Sequence, residues 1–216
     1  MPMTHAVRCL PFLPLALCCA AAIGQDGAAS ENIIPNGDFS KGNADFKSGL
    51  PYIKPAFNCL WGGYYTITSK FNDPLLHKLI AHEGFPPAVR KSGNEKVLFA
   101  NAGGVEPVLL WSTVAKCKPN TRYLITFNCI SLSGNREEGT MSHQVPDTSW
   151  AADFEIVAND AESAPIQPGL GKYFKGGMLW DSHKSTTVNL QIIRMKFAHG
   201  GGIVGISNIE MVPAKD

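Results

Sequence analysis

The chain alternates. In RYLITFNCIS (122–131), Tyr123, Ile125, Phe127 and Cys129 fall on one side and Thr126 and Asn128 on the other, the period of two that marks a half-buried strand. ADFEIVAN (152–159) sets Phe154, Ile156 and Ala158 against Asp153, Glu155 and Val157, and TTVNLQIIRMKF (186–197) sets Val188, Leu190 and Ile192 against Asn189 and Gln191. YYTITSK, VLFANAG, VLLWSTVAK and IVGISNIEMV read as further strands from their β-branched and aromatic content. Gly, Asn or Pro punctuates the gaps, at 36–37, 62–63, 103–104, 119–120 and 134–135 among others. About nine or ten strands with no amphipathic helices between them predict an all-β fold, an antiparallel β-sandwich of the jelly-roll type. The opening stretch NIIPNGDFSKGNADF (32–46) is expected to start the first strand. At most one short connecting helix is expected, in NDPLLHKLIAHEG (72–84). There Asp73 can cap, Pro74 suits the first turn, Leu75, Leu76, Leu79 and Ile80 share a face, and Gly84 ends it.

The first 24 residues follow a different rule. Arg8 is followed by an apolar run from Cys9 to Ile23, with small residues at Ala22 and Gly24. That is the pattern of a signal peptide cleaved before Gln25. Pro11 and Pro14 interrupt the run, which is shorter than the roughly 20 residues of a membrane span. Lipid anchoring at Cys18 or Cys19 is the rival reading, but Leu17 stands where a small residue is wanted. The expected organisation is residues 1–24 as leader, 25–31 as a short flexible segment, 32–212 as a single sandwich domain and 213–216 as a tail. The expected destination is secreted, periplasmic or extracellular, without membrane insertion after cleavage.

Charge and cysteine content narrow the partners. The chain carries 19 Lys and Arg against 18 Asp and Glu; without Arg8 the remainder is neutral and has no basic block. Nucleic acid and anionic surfaces are thereby set aside as partners. Cys59, Cys117 and Cys129 remain after the leader, an odd number for an oxidising compartment. One bridge with a spare thiol, by any of three pairings, and three reduced thiols both stay open. No Cys/His spacing suggests zinc.

IPNGDFSKG, DFKSGLPYI and LWGGYYTIT, then VLFANAG, VLLWSTVAKCKPNTRYLITFNCISL, FEIVAND, WDSHKSTTVNLQI and GISNIEM, occur in an order that resembles the carbohydrate-binding-module-like, galactose-binding-type jelly rolls (family 4/9-like) of exported bacterial proteins. The resemblance spans about residues 32–212. It implies the sandwich fold and a carbohydrate partner. It also implies a structural calcium held by acidic residues after the opening Asn-x-x-Phe and near the C-terminus. Here those positions read Ser40 and Asn208, with Asp38 and Glu210 as the neighbouring carboxylates. Calcium wants several oxygens including carboxylates, so no cofactor and no metal ligand are expected, with calcium the one exception to test.

Sugar recognition needs an aromatic face against the C–H side of a ring, with polar groups around it. Trp61, Tyr64 and Tyr65 in CLWGGYY, Trp150 after the polar loop NREEGTMSHQVPDTS, and Trp180 in MLWDSHKS are the candidates. Each has a plainer reading as a core residue. Alternation puts Tyr64 and Tyr65 on opposite faces, so one of them at most faces a ligand. Catalytic constellations are missing. His77 and His82 in HKLIAHE sit about 140° apart on a helix and do not converge. No Gly-x-Ser-x-Gly elbow occurs, and among Glu137, Glu138, Asp147 and Asp153 nothing marks two as a glycosidase pair. HGGGIVG leads into a strand and offers no helix N-terminus to a phosphate. The expectation is a secreted, non-catalytic, lectin-like module binding a polysaccharide or other glycan. The alternative is a structural or adhesion module of the cell envelope that binds a protein partner.

Overall fold

The computed structural model describes residues 31–55, 63–68, 96–101, 106–131, 152–168, 173–195 and 203–215. The leader, the helix expected over 72–84, Cys59, Trp61 and Trp150 lie outside them. Among the described residues the chain forms strands and turns only: β1 (Tyr64–Thr68), β2 (Val97–Asn101), β3 (Val108–Lys116), β4 (Arg122–Ser131), β5 (Phe154–Ala158), β6 (Ala161–Glu162), β7 (Phe174–Asp181), β8 (Thr187–Arg194) and β9 (Ile203–Pro213). They make a five-stranded sheet in the order β1-β2-β9-β4-β7 and a four-stranded sheet in the order β3-β8-β5-β6. Every ladder is antiparallel. This is the β-sandwich that the alternation predicts, and all seven stretches read as strands are strands. Two strands went unread: β6, only two residues long, and β7, where FKGGMLWD hides its period behind two glycines.

Parity decides what is buried. Tyr123, Ile125, Phe127 and Cys129 of β4 point inward, beside Met211 and Ile206 of β9. From the second sheet Trp111, Leu190, Ile192, Phe154 and Ile156 meet them. Phe127 and Phe154 touch edge to face across the sandwich, with centroids 6.0 Å apart. The two glycines of β7 are packing requirements. A Cβ on Gly176 would stand 2.7 Å from the Ile166 side chain, and one on Gly177 would stand 2.6 Å from the Ile125 carbonyl.

The opening stretch is not the first strand. Asn36, Phe39 and Asp45 adopt left-handed backbone (φ 53, 56 and 62°), which breaks any extended run. The segment instead runs along strand edges. Ile33 N–H donates to Met211 O (3.1 Å) where β2 no longer flanks β9. Lys47 exchanges bonds with Ser112 on the outer edge of β3 (2.8 Å each way), and Pro51 and Ile53 bond Tyr65 on the outer edge of β1. Asn36 holds the turn together, its amide nitrogen donating to the carbonyls of Gly42 and Ala44 and its oxygen accepting from Lys41 N–H. The turn residues noticed in the sequence thus serve a strap that covers two open sheet edges.

Candidate functional site

The outer face of the five-stranded sheet is built from the residues of opposite parity to the core. At the β1 end, Tyr64 lies directly opposite Asn101 of β2, which lies opposite Ile203 of β9. The next row is Thr66, Phe99, Gly205 and Ile130. Gly205 is bare because Val97, Phe99 and Ile130 close over it, leaving only about 3 Å for a Cβ. This half of the face is closed to solvent, and the hydroxyls of Thr66 and Ser207 are buried with no hydrogen-bond partner among the described residues. Tyr64 stands at its margin with 41% of its surface exposed. Gly63, at φ +89°, precedes it, and its N–H donates to Asn101 O at 2.7 Å. Toward β7 the same face opens. There Val212, Leu124 and Leu179 form an apolar row, next to Glu210, Thr126 and Gly177. Lys175 Nζ meets Glu210 Oε2 at 3.3 Å, and Thr126 Oγ1 donates to the same oxygen.

Of the aromatic residues proposed from the sequence, Trp61 and Trp150 lie outside the described residues, and Tyr64, Tyr65 and Trp180 are not brought together. Tyr64 faces out. Tyr65 faces in at 4% exposure, its hydroxyl donating to Asn43 Oδ1 and its ring 6.0 Å from Phe46 and 5.4 Å from Tyr52. Burial pushes its phenol pKa up. Trp180, 6% exposed, lies opposite Tyr123 with centroids 6.1 Å apart and seals the far end of the sandwich. That end is further fixed by Ser182, whose hydroxyl donates to Lys118 O (2.8 Å) and accepts from Thr121 N–H (2.9 Å). Tyr64 and Trp180 therefore sit on opposite edges, ends and faces of one sheet. Tyr52, exposed and with its ring tilted against that of Tyr65, escaped the sequence reading. Its signal was an aromatic residue held extended between Pro51 and Pro55.

The calcium position can be tested against its donors. Asp38 Oδ1 accepts from Ser40 N–H (3.0 Å), which is the main reason its carboxyl titrates below the ordinary range. Glu210 is engaged by Thr126 and Lys175 on the outer face. Lys96 Nζ donates to Ser40 O at 2.6 Å, so an ammonium already stands on that carbonyl. No three His, Cys, Asp or Glu side chains gather among the described residues. These residues do not fit a calcium shell. Of the carboxylates weighed from the sequence, Glu137, Glu138 and Asp147 lie outside the described residues and Asp153 accepts from Gln167 Nε2 (3.1 Å) at the start of β5; His183 occupies a left-handed turn after β7 (φ 46°). Glu155 titrates high, through burial first and the charge of Glu162 second.

No protein-family model matches the chain, and no curated protein matches it by sequence. Solved structures do match by shape. A family 61 carbohydrate-binding module, solved in complex with β-1,4-galactotriose, is 9% identical with a TM-score of 0.50, over 86% of this chain and 100% of the module. An arabinose-bound family 51 α-L-arabinofuranosidase is 10% identical with a TM-score of 0.51, over 88% of this chain and 28% of the enzyme. A family 16 carbohydrate-binding module is 12% identical over 84% of this chain and 99% of the module, with a TM-score of 0.44. The fold of this chain is the β-sandwich of the carbohydrate-binding modules.

Proposed function

We propose that the chain is an exported, non-catalytic carbohydrate-binding module that takes a glycan at the Tyr64 margin of the outer face of its five-stranded sheet. The observation that carries this reading is the Tyr64–Asn101 pair. An exposed aromatic ring stands beside a polar residue of the adjacent strand, and the ring is suited to the apolar face of a sugar. The likeness in fold to a module solved with β-1,4-galactotriose supports the ligand class. Trp61, three positions before Tyr64, and Trp150 are the next candidates for the platform. Tyr65 and Trp180 act through packing. No metal enters the binding step, and the leader over residues 1–24 carries the chain out of the cytoplasm.

A screen of purified residues 25–216 on a glycan array, with a β-1,4-galactan gel as a second assay, tests the reading. Retention on a related set of glycans, lost in Tyr64→Ala and indifferent to chelator, is the expected result. Silence across array and gel from a protein with a cooperative unfolding transition would overturn it and favour a protein partner in the envelope.

A further inference from the structure

Of the sheet edges, β1 and β3 are covered by the N-terminal strap, and β6 is two residues long. Strand β7 is different: it runs for eight residues at the end of the five-stranded sheet and pairs with β4 alone among the described strands. Its ladder reveals which of its peptide groups are used. Ser182 N–H donates to Thr121 O (3.0 Å), one pair beyond Arg122 and Asp181 in the same register. Residues of that parity, Phe174, Gly176, Met178 and Trp180, direct their peptide groups at β4, while Lys175, Gly177, Leu179 and Asp181 direct theirs at the open edge.

We infer that this edge pairs with the β7 edge of a second copy of the chain, about a two-fold axis at Met178. In that register Lys175 lies opposite the partner's Asp181 and Gly177 opposite the partner's Leu179, and by symmetry the reverse. Every outer-face residue meets an outer-face residue, and the four with free peptide groups become hydrogen-bonded pairs. Opposite charges face each other at both ends of the contact. Leu179, 50% exposed in the single chain, lies over a backbone without a side chain. Lys175, already bound to Glu210, gains a second carboxylate. The match is self-complementary, as an isologous interface requires, and the result is one ten-stranded sheet across two chains.

Sedimentation velocity over a wide concentration range, extending to high micromolar protein, tests this. The wild type is expected to dimerise. Asp181→Lys sets lysine against lysine twice and is expected to weaken the dimer about tenfold or more without altering the melting temperature at concentrations too low for dimer. Met178→Cys, at a pair whose Cα atoms come about 4.5 Å apart, is expected to form a disulfide-linked dimer on mild oxidation, beyond any formed by the wild type. A protein that stays monomeric at every concentration overturns the inference, as does a dimer that Asp181→Lys leaves intact.

Discussion

Gly37 lies flat against Ile209. The Gly37 carbonyl accepts the Ile209 amide at 2.9 Å, and a Cβ on Gly37 would come within 2.0 Å of the Ile209 carbonyl oxygen. The contact falls where β9 bulges: Asn208 turns left-handed (φ 48°) and two residues stand opposite Phe127. The strap is thus fastened to the irregular point of the central strand by a residue that has no room for a methyl group. Gly37→Ala must move backbone at one side or the other. It is expected to cost about 1–3 kcal/mol, toward the upper end because the clash is with backbone. Urea unfolding reads the change as a lower midpoint. An unchanged midpoint would mean that the strap contributes little to the sandwich.

Ser182 makes both of its bonds to the backbone of the Lys118–Thr121 turn and is itself buried. Removing the hydroxyl leaves a donor and an acceptor behind, so Ser182→Ala is expected to lose about 1–3 kcal/mol. Trp180→Ala empties a larger space beside Tyr123, at about 3–5 kcal/mol. The two residues share one clasp, and the double variant should lose less than the sum of the single losses, which a thermodynamic cycle by chemical denaturation measures.

Cys129 is a fully buried thiol that leans on Phe174 O at 3.5 Å. Burial pushes its pKa up from 9.0 to about 12. The folded chain therefore keeps the proton that the unfolded chain releases at ordinary alkaline pH. Stability from this group is complete below pH 9 and is lost as pH rises toward about 12. Cys129→Val, which has no proton to lose, should show a shallower fall of unfolding free energy across that window than the wild type. Parallel slopes would contradict the assignment. Cys117, at partial exposure, should react with a thiol reagent before Cys129 does in the native protein.

Parity was the most legible signal, because the direction of a strand side chain depends on little else. It placed Tyr123 to Cys129 inward without knowledge of the partner strand. The reading of β8 stopped at Val188, Leu190 and Ile192; two residues on, Arg194 has the same parity, where charge argues against burial. The structure sides with parity: Arg194 is buried, its guanidinium donating to Glu106 O at 2.8 Å, a contact 88 residues away in sequence that no local pattern announces. The opening stretch misled for a related reason. Phe39 adopts a left-handed backbone that bulky residues seldom take, and it does so inside a turn closed by Phe39 N–H to Asn36 O and Gly42 N–H to Phe39 O. At the candidate site, alternation said that Tyr64 and Tyr65 part ways but not which goes inward. Asn43 and Phe46 decide it, and both come from the strap.

Tyr64 and Trp180 should separate binding from stability. Tyr64 is exposed, and its ring has no aromatic neighbour among the described contacts of the core. Tyr64→Ala should leave the unfolding midpoint within about 0.5 kcal/mol of the wild type. Loss of a stacking face should cost about 1.4 kcal/mol or more of glycan affinity, a tenfold effect in isothermal titration. Tyr64→Phe keeps the ring and should keep most of that affinity, whereas a site read mainly through the hydroxyl would lose it in both variants. Trp180→Ala should do the reverse, lowering stability by several kcal/mol while the fraction that stays folded binds as the wild type does. If Trp180→Ala lost affinity at a temperature where it is fully folded, the site would have to extend around the sandwich end, and the outer-face placement of the glycan would be wrong.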